Sequence, residues 1–161
     1  MKKNRLLIIG SNSFIAKNLL SHNRLKKYDL YLISRKKNKN SNLKNFYKLD
    51  LSKKKKIENV IKIINPNYII HLADTKNKKN LKIKPVSNKN INLIFAKNII
   101  SACIKLDNLK KFIFLGSCDE YGNNNFFVNE KSNPRPVKYY GRYKLKITNE
   151  ILKAKKKHNL P

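Results

Sequence analysis

The chain has 161 residues, the length of one domain, with 38 Lys and Arg against nine Asp and Glu, a net charge of +29 and 40% hydrophobic residues. No apolar run approaches the roughly 20 residues of a membrane span, and two cysteines, Cys103 and Cys118, make no disulfide framework, so a cytoplasmic location follows by default and no membrane partner is expected. The basic residues are nearly all Lys in a chain also rich in Asn and Ile, a trio that AT-rich coding sequence produces, while Arg, the better reader of phosphates and bases, is scarce; nucleic acid is therefore not the expected partner.

Short β-rich runs alternate with helical periods along the chain. MKKNRLLIIG opens basic and then apolar, but the apolar part is too short for a signal peptide, and residues 6–9 read as a strand. Residues 13–20 read as a helix, 29–34 as a second strand, and KKNKNSN as a polar loop. A short strand covers 45–49. Ser52 is placed to cap a helix with Ile57, Val60, Ile61 and Ile64 on one face, and Asn65-Pro66 stops it. A strand over 68–73 precedes a long helix carrying Ile91, Ile94, Phe95, Asn98, Ala102 and Leu106 on one face. Residues 111–116 form the last strand, 123–136 a loop with Asn and Pro signals, and about 139–157 the last helix.

Strands that are apolar on both faces and alternate with helices predict a doubly wound parallel sheet in a three-layer α/β/α arrangement. Ligands of such sheets bind outside the carboxyl ends of the strands. Gly10, Arg35, Asp50, Asp74 and Ser117 lie at or just past those ends, so one site is expected there.

The first strand runs into GSNSFIAKNLL. A dinucleotide fingerprint needs glycines where the backbone turns, where it meets the pyrophosphate and where helix packs on strand, with alanine accepted at the third. Here those positions hold Gly10, Ser13 and Ala16; Ser13 departs from the pattern, and an ordinary strand–turn–helix with a Ser cap fits the same letters. At the second strand end stand Ser34 and Arg35, where an NAD site usually has an acid. A guanidinium beside a hydroxyl suits a 2′-phosphate, which favours NADP over NAD; the competing reading assigns Arg35 to the general basic surface.

YYGRYK holds Tyr140 and Lys144 at i, i+4, on one helix face. A phenol titrates near 10, and a nearby ammonium lowers that value. Tyr140 is then a candidate general acid/base for a sugar hydroxyl or ketone, with Lys144 also able to bind the nicotinamide ribose. Tyr139 pairs with Tyr143 at the same spacing.

These pieces, in this order, resemble the extended short-chain dehydrogenase/reductases, the NAD(P)-dependent nucleotide-sugar epimerase/dehydratase group. GSNSFIA stands at the glycine-rich turn, which implies cofactor contacts from Gly10, Ser13, Phe14 and Ile15. LDL resembles the adenine-contacting Asp-Leu, here Asp50 and Leu51. IIHLAD is similar to the segment lining the cofactor, which implies Leu72, Ala73 and Asp74. The helix from Asn92 resembles the one whose leading Asn supports the active site. LGSCDEYG places the catalytic Ser at Ser117, with Asp119 where dehydratases carry an acid, and the last block places Tyr140 and Lys144, with Tyr143 replacing a small Ser.

The resemblance implies a Rossmann-type fold and hydride transfer at C4 of a nucleotide-linked sugar, by epimerisation, dehydration or keto reduction, with NADP or NAD as cofactor. It implies no metal, and a homodimer paired through the long helix after Ser87 and the Tyr140 helix. His71 is expected to be packed with one hydrogen bond, Cys118 to be a small half-buried residue, and Glu120 and Tyr121 to be structural. Family members continue past this length, so the chain is expected to be a truncated protein or a fragment: one NAD(P)-binding Rossmann domain over 1–161 that lacks the C-terminal substrate part. Two other readings stand beside the enzyme: a catalytically incomplete dinucleotide-binding module, and a basic polyanion-binding protein whose binding fades steeply with salt.

Overall fold

The computed structural model describes residues 3–36, 45–75, 90–123 and 127–161. Ser87 and the predicted KKNKNSN loop beyond Lys36 lie outside them. Among these residues five strands, β1 (Arg5–Ile9), β2 (Asp29–Ser34), β3 (Phe46–Lys48), β4 (Tyr68–His71) and β5 (Lys111–Phe114), form one sheet in the order β3-β2-β1-β4-β5. Every pairing is parallel. The helices are α1 (Phe14–Leu20), α2 (Lys54–Ile64), α3 (Ile91–Cys103) and α4 (Tyr139–His158), with 3-10 turns at Asn23–Lys27 and Cys118–Glu120.

Side chains of a strand alternate between faces, and β1 is apolar on both. Leu7 and Ile9 pack with Ile33, Ile69 and residues of α2, α3 and α4, such as Ile61, Ile99 and Ala154. Leu6 and Ile8 pack with Leu32, Ala16 of α1 and Leu25 of the first 3-10 turn. Burial of each such side chain contributes about 1.5–3 kcal/mol, so both faces require a cover. The result is the expected doubly wound, Rossmann-type three-layer sheet.

Three strands end earlier than the sequence predicts: β3 stops one residue short, at Lys48, and β4 and β5 shorten together for one reason. Across the β4–β5 register, His71 sits opposite Phe114. β4 stops there, apart from the Leu72 N–H that still donates to the Ile9 carbonyl, so β5 loses its partner and residues 115–116 leave the sheet. Ser52 does not cap α2: Lys53 holds the cap position with no side-chain bond, and the Asp50 carboxylate instead accepts the Ser52 N–H at 2.9 Å. The predicted stop is present, with Asn65 in the left-handed region at φ 44° and its N–H on the Ile61 carbonyl. The sequence reading missed the cap of α3, where the Asn90 side chain accepts from the N–H groups of Asn92 and Leu93.

His71 is buried on β4 with its ring 5.7 Å from that of Phe114. Packing follows expectation, but its Nδ1 has no hydrogen-bond partner among the described residues. Burial first, and the Lys144 ammonium second, hold the imidazole at about 3. The unfolded chain binds this proton near 6.5, the folded chain only near 3, so stability is intact above the unfolded value and falls as pH drops through that window. The loss is on the order of 1 kcal/mol per pH unit. Urea midpoints measured at about pH 7 and pH 5 should therefore fall less for His71→Gln than for wild type; equal falls would contradict this assignment.

Candidate functional site

The turn after β1 needs glycine twice over. Gly10 has φ 89°, and a Cβ there would lie 2.5 Å from the Ala73 nitrogen. The strand end can thus approach the β4 exit closely, with the Gly10 N–H on the Ile33 carbonyl of β2. Ser13 caps α1 by accepting the Ala16 N–H at 3.2 Å, and its helix start faces the opening between β1, β2 and β4.

That opening is a cleft of about 630 Å³ at the carboxyl ends of the strands. Of the candidate cofactor residues, Gly10, Ser13, Ser34, Arg35, Leu51, Leu72, Ala73 and Asp74 line it. Asp50 lines an adjoining recess that shares Arg35, Asp74, Thr75 and Phe95 with the cleft. Hydrogen bonds from Ser52, with help from Lys53 and Arg35, hold the Asp50 carboxyl below its ordinary range. Phe14 and Ile15 are exposed on α1 and lie outside the cleft wall. Ser34 is buried and its hydroxyl donates to the Lys36 carbonyl, as does the Asn12 amide. Ser34 therefore shapes the turn that presents Arg35 and Lys36, and its hydroxyl is committed there. Asn12, Lys36, Thr75 and Phe95 also line the cleft and were not singled out from the sequence.

The second half of the site lies where β5 ends against α4. Ser117 caps the 3-10 turn by accepting the Asp119 N–H at 3.2 Å, which leaves its hydroxyl proton free to donate elsewhere. Glu120 is buried; it accepts the Ser117 N–H at 2.8 Å and the Thr148 hydroxyl of α4 at 2.9 Å, a structural tie between turn and helix. Cys118 is exposed. Gly141 lets α4 seat directly on this turn, since a Cβ there would lie 2.1 Å from the Asp119 carbonyl oxygen. Ser117, Cys118, Glu120 and Tyr121 line a groove between β5 and α4 that is separate from the first cleft.

Asp74 links the two halves. It lines the cleft, and its Oδ2 lies 3.3 Å from Lys144 Nζ. Its carboxylate also accepts the Tyr143 hydroxyl at 3.0 and 3.1 Å and the Asn92 amide at 2.7 Å. Asn92 in turn accepts from the Thr75 N–H and hydroxyl, both at 2.9 Å. Lys144 is buried; its ammonium donates to the Leu115 carbonyl at 3.0 Å and lies 4.8 Å from the centre of the Phe114 ring.

Lys144 Nζ stands 5.7 Å from the centre of the Tyr140 ring, on the shared face the spacing predicts. The expected electrostatic effect is reversed. Tyr140 is held above the ordinary phenol value, by burial first and then by the charges of Asp74, Asp119 and Glu120. The physical reason is first the burial of the phenol, to which the Asp74 carboxylate adds. Tyr143 is raised further still, by burial and by the same carboxylate. Its ring meets Tyr140 edge-on at 5.2 Å and Tyr139 at 5.8 Å. Tyr139 itself receives the Asn90 amide at 3.0 Å.

Among the described residues, no helix is long and apolar enough to cross a membrane. A family model described as "NAD dependent epimerase/dehydratase family" matches residues 6–161. GDP-L-colitose synthase of Yersinia pseudotuberculosis is 30% identical over 118 residues, covering 73% of this chain and 34% of that protein. UDP-glucose 4-epimerase of Thermotoga maritima, solved with UDP-glucose, superposes with a TM-score of 0.81 at 24% identity, covering 97% of this chain and 52% of its own. UDP-glucose 4-epimerase of Brucella ovis, solved with NAD, gives 0.84 at 18% identity, covering 98% and 49%. At these identities the structural likeness speaks for the fold. The chain spans about half the length of these solved structures and about a third of the colitose synthase.

The packing at Gly141 generates a prediction with an unusual sign. In a helix, Gly→Ala ordinarily gains up to about 1 kcal/mol. Gly141→Ala should instead lose about 1–3 kcal/mol, because the added methyl forces the 3-10 turn off α4. Urea denaturation of the two chains measures this, and a stabilised variant would refute the close seating.

Proposed function

The chain belongs to the NAD dependent epimerase/dehydratase family, and from that premise we propose that it holds a nicotinamide dinucleotide in the cleft at the ends of β1, β2 and β4 and serves hydride transfer at C4 of a nucleotide-linked sugar. The observation that carries this reading is the glycine-made cradle, in which Gly10, Ser13, Arg35, Leu72 and Ala73 converge from three parallel strands on one cleft. A backbone turn with no Cβ and a capped helix start suit a pyrophosphate. The nucleotide sugar as substrate class follows the printed names of the relatives, a GDP-L-colitose synthase and UDP-glucose 4-epimerases. The proposal extends to a cytoplasmic protein that forms homodimers through α3 and α4, on family resemblance alone.

The bound dinucleotide supplies or takes up the hydride. The chain's own residues do the rest. Tyr140 moves the proton to or from the sugar oxygen. Ser117 donates its free hydroxyl proton to that same oxygen and holds it in place. Lys144, fixed by Leu115 and Asp74, binds the nicotinamide ribose. Asp119 is the acid available for water elimination if the reaction is a dehydration.

NADP is the favoured dinucleotide. Arg35 and Lys36 are both exposed and both line the cleft, and a guanidinium binds phosphate through paired hydrogen bonds. Titration by nicotinamide fluorescence should give tighter binding of NADPH than of NADH. Arg35→Ala should weaken NADPH by about tenfold or more and leave NADH nearly unchanged. Equal affinities in the wild-type chain would remove the NADP reading and leave NAD.

Tyr140→Phe in the active protein should keep dinucleotide affinity and lose turnover by at least about 100-fold. Undiminished turnover would sink the assignment of Tyr140. Dinucleotide binding with no turnover from the wild-type protein would instead support a binding module without chemistry.

A further inference from the structure

The turn after β1 is tied to the end of β2 by more than the sheet requires. The Gly10 and Ser11 N–H groups both donate to the Ile33 carbonyl, at 2.8 and 3.2 Å. The Asn12 side-chain amide then donates to the Lys36 carbonyl, across 24 residues of sequence. The Ser34 hydroxyl donates to that same carbonyl, and the Ser34 carbonyl accepts the Leu49 N–H just beyond β3 at 3.0 Å. Making its contact leaves the Asn12 Oδ1 buried with no hydrogen-bond partner among the described residues. A buried acceptor left unpaired is unfavourable. An alanine would bury no such oxygen, so the amide is not what stability alone would select at this turn.

We propose that Asn12 is a specificity-determining residue: by clamping the Lys36 carbonyl it fixes the Arg35–Lys36 turn against the Gly10–Ser13 turn and so makes it a site for the 2′-phosphate of NADP. The inference rests on the proposed seating of a dinucleotide in this cleft, with Arg35 and Lys36 at its 2′-phosphate. Asn12, Ser13, Arg35 and Lys36 all line the cleft. Arg35 and Lys36 are exposed, and neither is in an ion pair among the described residues. Basic side chains on a free loop have to be ordered by the ligand, which weakens binding. A backbone already held by two side-chain donors removes part of that loss.

The clamp bears on one dinucleotide more than the other. NADP and NAD share the pyrophosphate and differ at the 2′ position of the adenosine ribose, a phosphate in one and a hydroxyl in the other. An uncapped carbonyl at this turn would accept from the hydroxyl and repel the phosphate. A carbonyl oxygen has two lone pairs, and Asn12 and Ser34 donate to both, which leaves a guanidinium and an ammonium as the groups the turn offers. The two acids that share the adjoining recess with Arg35 are engaged elsewhere, Asp50 by the Ser52 N–H and Asp74 by Tyr143, Asn92 and Lys144. Arg35 is therefore free to pair with phosphate.

The test reads a ratio of affinities. NADPH and NADH are titrated by nicotinamide fluorescence against the wild-type chain, Asn12→Ala, Arg35→Ala and the double variant, each checked for helix content by circular dichroism. Wild type should prefer NADPH, and Asn12→Ala should cut that preference by about fivefold or more. In the Arg35→Ala background the same substitution should cut it by less, because the two residues act through one turn. Ser34→Ala, which removes the other donor to Lys36, should move the ratio the same way and decides the matter if Asn12→Ala fails to fold. An unchanged ratio in the folded variants overturns the clamp and leaves the NADP reading standing. An equal loss of NADPH and NADH also overturns it, since Asn12 would then support only the turn that both ligands share. Equal affinities in the wild-type chain remove the NADP reading itself, and the clamp with it.

Discussion

The Asp74 carboxylate accepts from Tyr143 and Asn92 and pairs with Lys144, and these contacts join three elements at one point: the β4 exit, α3 and α4. Both members of the pair are largely removed from solvent, so neither is tolerated alone; stripping one partner from a buried pair leaves an uncompensated charge. The hydrogen bonds explain how a carboxylate can stay in so enclosed a place. They also fix the register of α4 against the sheet, because Lys144 is held at the same time by the carbonyl of Leu115 just beyond β5. Everything assigned to the catalytic corner hangs from that register.

The rest of the site follows from close backbone approaches. Gly10 brings the first turn against Ala73, one residue before Asp74, so the cleft at the strand ends and the Lys144 pair share a wall. Gly141 brings α4 onto the Asp119 carbonyl, and Glu120 ties the same turn to Thr148. The sheet supplies the rigidity these contacts need. Its central strand, β1, is apolar on both faces, and the helices that bury those faces, α1 on one side and α2, α3 and α4 on the other, are those whose ends carry the polar groups.

Much of this was legible in the sequence because it is local. The double-sided apolar strands, the capping Ser13 and the left-handed Asn65 each depend on neighbours a few residues away. Placing Gly10, Arg35, Asp74 and Ser117 at strand ends needed only the strand pattern. The misses are of two kinds. Strand lengths depend on where a partner strand stops, which shortened β5 when β4 ended at His71. The others are polar contacts that the hydrophobic pattern does not encode: two are local turns, Asp50 taking the Ser52 N–H and Ser34 donating to the Lys36 carbonyl, and one joins distant segments, Tyr143 meeting Asp74. The expected effect on Tyr140 was reversed because Lys144 was visible at its helical spacing while the burial of the phenol, the larger cause, and the closeness of Asp74 were not.

A crystal structure of the chain grown with NADPH tests the central claim most directly. The account predicts the pyrophosphate over the Gly10–Ser13 turn, the 2′-phosphate beside Arg35 and Lys36, and the nicotinamide ribose toward Lys144. A dinucleotide seated elsewhere on the basic surface, or a cleft that stays empty at saturating NADPH, would contradict it.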